Sequence, residues 1–113
     1  MIVYPEGRIG NDSANHYRYH LRRLITKYNN CDFIIINMDN VPSISSNGIA
    51  VLVFMAKELI NNDRSLSICC PSHLVKQILS ILNINNIARY PTEENAIRTL
   101  LTEAVSHEAA SGY

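Results

Sequence analysis

The sequence is short of the features that most readily betray a function. Only three cysteines and four glycines occur in 113 residues, and ten Lys/Arg offset ten Asp/Glu. Cys31 stands alone and Cys69 and Cys70 are adjacent, an odd count without CxxC spacing. That pattern supports neither a disulfide framework nor a zinc site. The glycines at positions 7, 10, 48 and 112 match neither GxGxxG nor GxxxxGK[ST], so no phosphate-cradling loop is present. No GxSxG elbow occurs and no Ser is linked in sequence to a His and an acid in a triad pattern, so an enzyme is not expected. Zero net charge excludes the basic excess of a nucleic-acid binder or a polybasic membrane-surface protein. The longest apolar run, Ile49–Ala56, has eight residues, against the ~20 of a membrane span. The chain reaches Pro5 and Glu6 too early for a secretory signal. What remains is the expectation of a soluble, cytoplasmic protein with one domain over 1–105 and a flexible tail over 106–113.

Hydrophobic patterning then supplies the architecture. Ile2-Val3-Tyr4 reads as a short strand closed by Pro5 and Gly7. Tyr17, Leu21, Leu24, Ile25 and Tyr28 recur at the spacing of one helical face after the cap candidates Asn11, Asp12 and Ser13. Phe33-Ile34-Ile35-Ile36 has no polar alternation, which predicts a strand covered on both faces in a parallel sheet. A polar loop over 37–48 leads to a second helix over 49–60, with Ile49, Leu52, Val53, Ala56, Leu59 and Ile60 as its buried face. Leu66–Cys70 is a third strand. Ser72 caps a third helix with the apolar face Leu74, Val75, Ile78, Leu79 and Leu82. Ile87–Tyr90 forms a last strand, and Thr92 opens a final helix with Ala96, Leu100, Leu101 and Ala104 inward. This alternation, without repeats or linkers, predicts an α/β domain with a mainly parallel sheet.

Three constellations merit weighing. His16 and His20, four apart on the first helix, lack a third ligand, and no metal or other cofactor is expected. Tyr17-Arg18-Tyr19 resembles base-stacking interleaving, but Tyr17 belongs to the core stripe and the chain is neutral. Ser45-Ser46-Asn47-Gly48 lies between the buried strand and the apolar helix. Its simplest role is capping, with Ser46 or Asn47 at the N-cap and Gly48 permitting a tight turn. A serine there is also suited to phosphorylation, because the helix dipole tolerates an added charge of about −1.5 to −2. A partner surface facing it need not, since a penalty of ~1.4 kcal/mol weakens binding tenfold. The same helix predicts a contact surface, because Val51, Phe54 and Met55 fall outside its expected buried face.

In order and spacing these segments resemble a STAS domain, the fold of the bacterial anti-sigma factor antagonists. Gly7-Arg8-Ile9 is similar to that family's G-[ED]-[LI] strand end, and residues 37–48 align without gaps on D-L-S-x-[VL]-x-[FY]-[IM]-D-S-S-G. Residues 72–79 followed by Ile84 resemble S-P-x-V-x-x-[IL]-[LF] and its following hydrophobic position. Tyr90–Ala96 resembles the closing y-x-[ST]-x-x-x-A. The resemblance implies a small β-sheet with helices packed mainly on one side, beginning here at the family's second strand, so that the first strand is absent. An edge left unpaired in this way would allow a homodimer. It also implies a phosphorylatable serine at Ser46, with Ser45 as the alternate, read by a partner serine kinase that is itself the anti-sigma factor and reversed by a phosphatase. Ser45, Ser46, Asn47, Gly48, Val51, Phe54, Met55 and Asn37 are then the expected partner contacts, without direct nucleic-acid or membrane contact. The chain departs from the motif where Ser45 replaces its Asp, Asn47 its second Ser and Asn37 the Asp of D-L-S. The alternative the family offers is a STAS subunit that works without phosphorylation, in a lipid-transport ABC complex or a sensory complex.

Overall fold

The computed structural model describes residues 1–111, with side chains described through residue 103. Four strands, β1 (Ile2–Val3), β2 (Phe33–Asn37), β3 (Ser65–Cys69) and β4 (Ala88–Tyr90), lie side by side in chain order. All three pairings are parallel: Ile2 pairs with Ile35, Ile36 with Ile68, and Ile68 with Arg89. Helices α1 (Ala14–Lys27), α2 (Ser46–Ile60), α3 (His73–Ile81) and α4 (Glu93–Ser111) alternate with them. A parallel pair demands a long crossover, and each helix is the crossover or the closing cover the sheet requires.

The period-two geometry of the strands divides the interior. Ile34, Ile36, Leu66 and Ile68 face a large core shared with Leu21 of α1, Leu52 and Met55 of α2, and Val75 and Leu79 of α3. Ile35 and Cys69 face the other way, against Ala96 and Leu100 of α4. The uninterrupted apolar run of β2 is therefore covered on both faces, as the sequence requires, with three helices on one side and α4 on the other. Burial, followed by the neighbouring Cys70, pushes the Cys69 thiol up to about 12, so it stays a neutral core group.

Several boundaries and faces differ from the sequence expectation. Tyr4 lies beyond β1 and is exposed. On α3 only Val75 and Leu79 are buried, whereas Leu74 and Leu82 face outward. On α4 Leu101 is exposed, and the expected burial of Ala104 lies outside the described side chains. That helix runs to Ser111, and of the expected tail over 106–113 residues 112–113 lie outside the described residues. His16 and His20 are exposed and meet each other, with Nε2 atoms 3.1 Å apart. No cluster of three or more metal-ligating side chains occurs among the described residues. None of the described helices is long and apolar enough to cross a membrane.

Helix ends are closed without glycine. Asp63 (φ 59°) and Asn83 (φ 54°) take the left-handed conformation that follows α2 and α3. Behind Asp63, the Arg64 amide donates to Leu59 O at 2.8 Å and the Asp63 amide to Ile60 O at 3.1 Å. Ile84 and Asn83 repeat this pattern onto Leu79 and Ser80. These are Schellman closures, and short polar side chains carry the positive φ where glycine is scarce. Arg64 also reaches across to the end of α1, where its guanidinium donates to Cys31 O at 2.8 Å, Tyr28 O at 3.1 Å and Ile25 O at 3.2 Å. One side chain thus supplies donors to the C-terminal carbonyls that a helix leaves unsatisfied.

Candidate functional site

The segment between β2 and α2 is polar in sequence but anchored in fact. Met38, Val41 and Ile44 are fully or nearly fully buried within it. Backbone bonds clamp it to the segment after β1: the Gly7 amide donates to Asn40 O, Ile9 to Ser43 O, and Ser45 to Ile9 O at 2.7 Å. Ile9 and Ile44 form an isolated parallel bridge. The Ser72 hydroxyl, from the cap of α3, donates to Pro42 O at 3.0 Å. Three buried apolar side chains and contacts from two other segments therefore hold the start of α2 in place.

The cap is Ser45, one residue earlier than expected. Its backbone is extended (φ −78°, ψ 167°) and its Oγ accepts from the Gly48 amide at 3.1 Å. The Ser45 hydroxyl is half-buried and committed to one of the orphan donors of the first turn. Ser46 is the first residue of α2 and is exposed, as is Asn47. The two adjacent serines are thus chemically unequal. One hydroxyl is occupied by the fold, and the other stands in solvent at the positive end of the helix dipole.

Gly48 is buried where α2 meets the clamped segment. An added Cβ would lie 2.6 Å from Ile44 Cγ1 and 2.9 Å from Ile9 Cγ2, closer than carbon atoms approach. The glycine is required by this approach and not by an unusual turn. Gly48→Ala is expected to destabilise the fold by about 1–2 kcal/mol. Overpacking of about 1–3 kcal/mol outweighs the helix propensity regained, about 1 kcal/mol at most. At Gly10 an added Cβ meets nothing within 4 Å, so Gly10→Ala is the control. Urea midpoints of the two variants check this, and equal midpoints would contradict it.

The remaining expected contacts divide. Phe54 is 51 % exposed and Val51 half-buried on α2. Met55 is 1 % exposed and packs in the main core, which corrects its reading as a partner contact. Gly48, Ile49, Leu52, Met55, Ala56 and Leu59 form the buried stripe, while Ile60 is exposed. Asn37 does not join the α2 cluster through its side chain. Its Nδ2 donates to Glu93 Oε1 at 3.3 Å on the α4 side of the sheet, and its Oδ1 accepts from the Asp39 amide at 2.9 Å. The same Glu93 oxygen accepts from the Tyr4 hydroxyl at 2.5 Å, and this bond is the first cause of the raised Tyr4 pKa.

Beside Ser46 runs a groove that sequence reasoning missed. About 480 Å³ in volume, it is lined by Ser46, Ala50, Val53, Phe54, Leu82 and Ile84 among others. The outward turn of Leu82, assigned from sequence to the core, supplies one wall. The C-terminal closure of α3, with Asn83 in the left-handed region, brings Ile84 beside it. Periodicity gave no warning, since Leu82 continues the helical stripe of α3 past the residue where the helix ends.

A family model described as the STAS domain matches residues 1–96. The crystal structure of TM1081 from Thermotoga maritima superposes with a TM-score of 0.78 at 21 % identity, covering 87 % of this chain and 84 % of that one. The NMR structure of TM1081 gives a TM-score of 0.71 at 21 % identity over 86 % and 78 %. The anti-sigma factor antagonist SpoIIAA in its unphosphorylated form gives 0.74 at 18 % identity over 89 % and 87 %. At these identities the structural likeness is one of fold.

Proposed function

The chain belongs to the STAS domain family, and from that premise we propose that it is a cytoplasmic, non-enzymatic regulator of the anti-sigma factor antagonist kind. It binds a serine kinase that acts as an anti-sigma factor, and phosphorylation of Ser46 releases that partner until a phosphatase restores binding. The carrying observation is the inequality of the serines. Ser45 is held by the Gly48 amide, whereas Ser46 is exposed at the mouth of an apolar groove. A phosphate there would add about −1.5 to −2 charge where the helix dipole favours it, so the fold survives. The same charge on the rim of a docked apolar interface is desolvated and faces the partner, and ~1.4 kcal/mol is enough for a tenfold loss.

The test is phosphosite mapping by mass spectrometry after incubation with the host's serine kinases, followed by partner affinity of the modified protein. Phosphate on Ser46 and at least tenfold weaker binding are expected. Phosphorylation confined to other residues would overturn the assignment.

A second reading rests on the motif departures at Ser45, Asn47 and Asn37. Those at Ser45 and Asn37 remove two carboxylates a kinase would read, and they favour a constitutive STAS subunit of a transport or sensory assembly. The edge of β1, paired only with β2 among the described residues, gives such a subunit a place for a second strand, including that of another copy. In that case Ser46→Asp leaves partner affinity unchanged while Phe54→Ala lowers it.

A further inference from the structure

The groove beside Ser46 does not end at Ile84. A second concavity of about 470 Å³ continues along α2, lined by Lys57, Ile60, Asn61, Asn83, Asn85 and Asn86. The two share Val53, Lys57 and Ile84, so they form one channel along the outer side of α2. At 1.5 Å per residue the channel runs about 21 Å along the helix from Ser46 to Ile60, with Lys57 where the two concavities meet. The part beside Phe54 and Leu82 is apolar up to Lys57, and the part beyond Lys57 adds side-chain amides.

The polar half is unpaired. Lys57 is exposed and has no ion pair or hydrogen bond among the described residues. Glu58, the acid next to it on α2, bonds Arg22 of α1 at 3.2 Å. Among the described residues no acidic side chain lines either concavity. Asn86 Nδ2 is buried without a hydrogen-bond partner among the described residues, a state that costs a desolvation penalty in the free protein.

We infer that this channel docks a partner protein segment bearing an apolar side chain and, about one helical turn away, a carboxylate. Apolar contact falls on Val53, Phe54 and Leu82, and the carboxylate meets Lys57. A wholly apolar occupant would cover Lys57 without a counter-charge, which is unfavourable. A cationic occupant is repelled by Lys57. An acidic amphipathic segment matches both halves, since Val53 and Phe54 stand four and three residues before Lys57 and so lie on adjoining parts of one helix surface. The inference rests on the reading of this chain as a partner-binding protein and adds what the partner must present.

The probe is a capped helical peptide of about twelve residues, with two Leu four apart and Glu one turn further on. Its counterpart has Lys in place of that Glu. Both are titrated into the unphosphorylated, isotope-labelled full chain and followed by NMR. The Glu peptide is expected to shift the Val53, Lys57 and Ile84 amides and the Asn86 side-chain amide, and to bind at least tenfold tighter than the Lys peptide. In Lys57→Glu the preference reverses, an outcome a merely structural lysine would not give. Equal affinity for the two peptides, shifts confined to other surfaces, or no shifts at all overturn the inference. No kinase enters this experiment. A channel indifferent to carboxylates leaves the Ser46 switch standing, and an unmodified Ser46 leaves the charge preference standing.

Discussion

Met55→Ala is expected to lower the unfolding free energy by about 2–5 kcal/mol, and Phe54→Ala, one residue away, by less than about 1 kcal/mol. Met55 is 1 % exposed among Leu52, Ala56 and the sheet residues of the main core, so truncation leaves a cavity that the packed strands cannot close. Phe54 is 51 % exposed and half of its ring already meets water. The order inverts for binding. Phe54→Ala removes an aromatic anchor from the groove wall and is expected to weaken partner binding at least tenfold, whereas folded Met55→Ala protein binds as the native chain does. Urea unfolding followed by circular dichroism reads the first effect, and partner titration well below the unfolding midpoint reads the second. Equal stabilities for the two variants would contradict a buried Met55 beside an exposed Phe54.

Arg64→Ala is expected to cost about 2–3 kcal/mol, a large loss for a residue outside the core. Its guanidinium makes three charge-assisted bonds to Ile25, Tyr28 and Cys31 carbonyls. These tie the end of α1 and the following turn to the start of β3. Each such bond contributes about 1.5–3 kcal/mol taken singly. The sum is smaller, because the exposed Tyr28 carbonyl recovers water and the bonds act as one unit. Arg64→Lys keeps the charge but presents a single ammonium in place of a planar fork, and is expected to recover less than half of the loss. Amide exchange in the last turn of α1 should quicken in both variants. Unchanged protection of Leu24 to Tyr28 would show that the helix end is held by something else.

Much of the fold is legible in the residues themselves. The element order follows from alternating periodicities, and the run Phe33–Ile36 announces a strand without a solvent face. Ser72 before an apolar helical stripe marks a cap, and its Oγ accepts from the Val75 amide at 3.2 Å. Such signals are local: a cap or a strand is specified by residues a few positions apart. The loop over 37–48 was less legible, because Met38, Val41 and Ile44 obey no period and reveal their burial only when the segment after β1 lies alongside. Leu82 misled in the opposite sense, since its stripe outlasts the helix that carries it.

By itself the sequence determined the α/β alternation, the two-faced burial of β2, the lack of a metal-ligand or phosphate-loop motif, and the placement of a Ser-Ser-Asn-Gly cap before an apolar helix. Tertiary structure alone decided which hydroxyl of that cap is free. A one-residue shift in helix start exchanges the roles of Ser45 and Ser46. It also decided the rotation of α2. A helix apolar on nearly every side has no single preferred face, and a turn of about half of one residue's 100° step brings Met55 in and puts Ile60 out. Only the packing of α1, α3 and the sheet around that helix settles such a choice. The groove beside Ser46 and the lone Lys57 at its far end exist because of it.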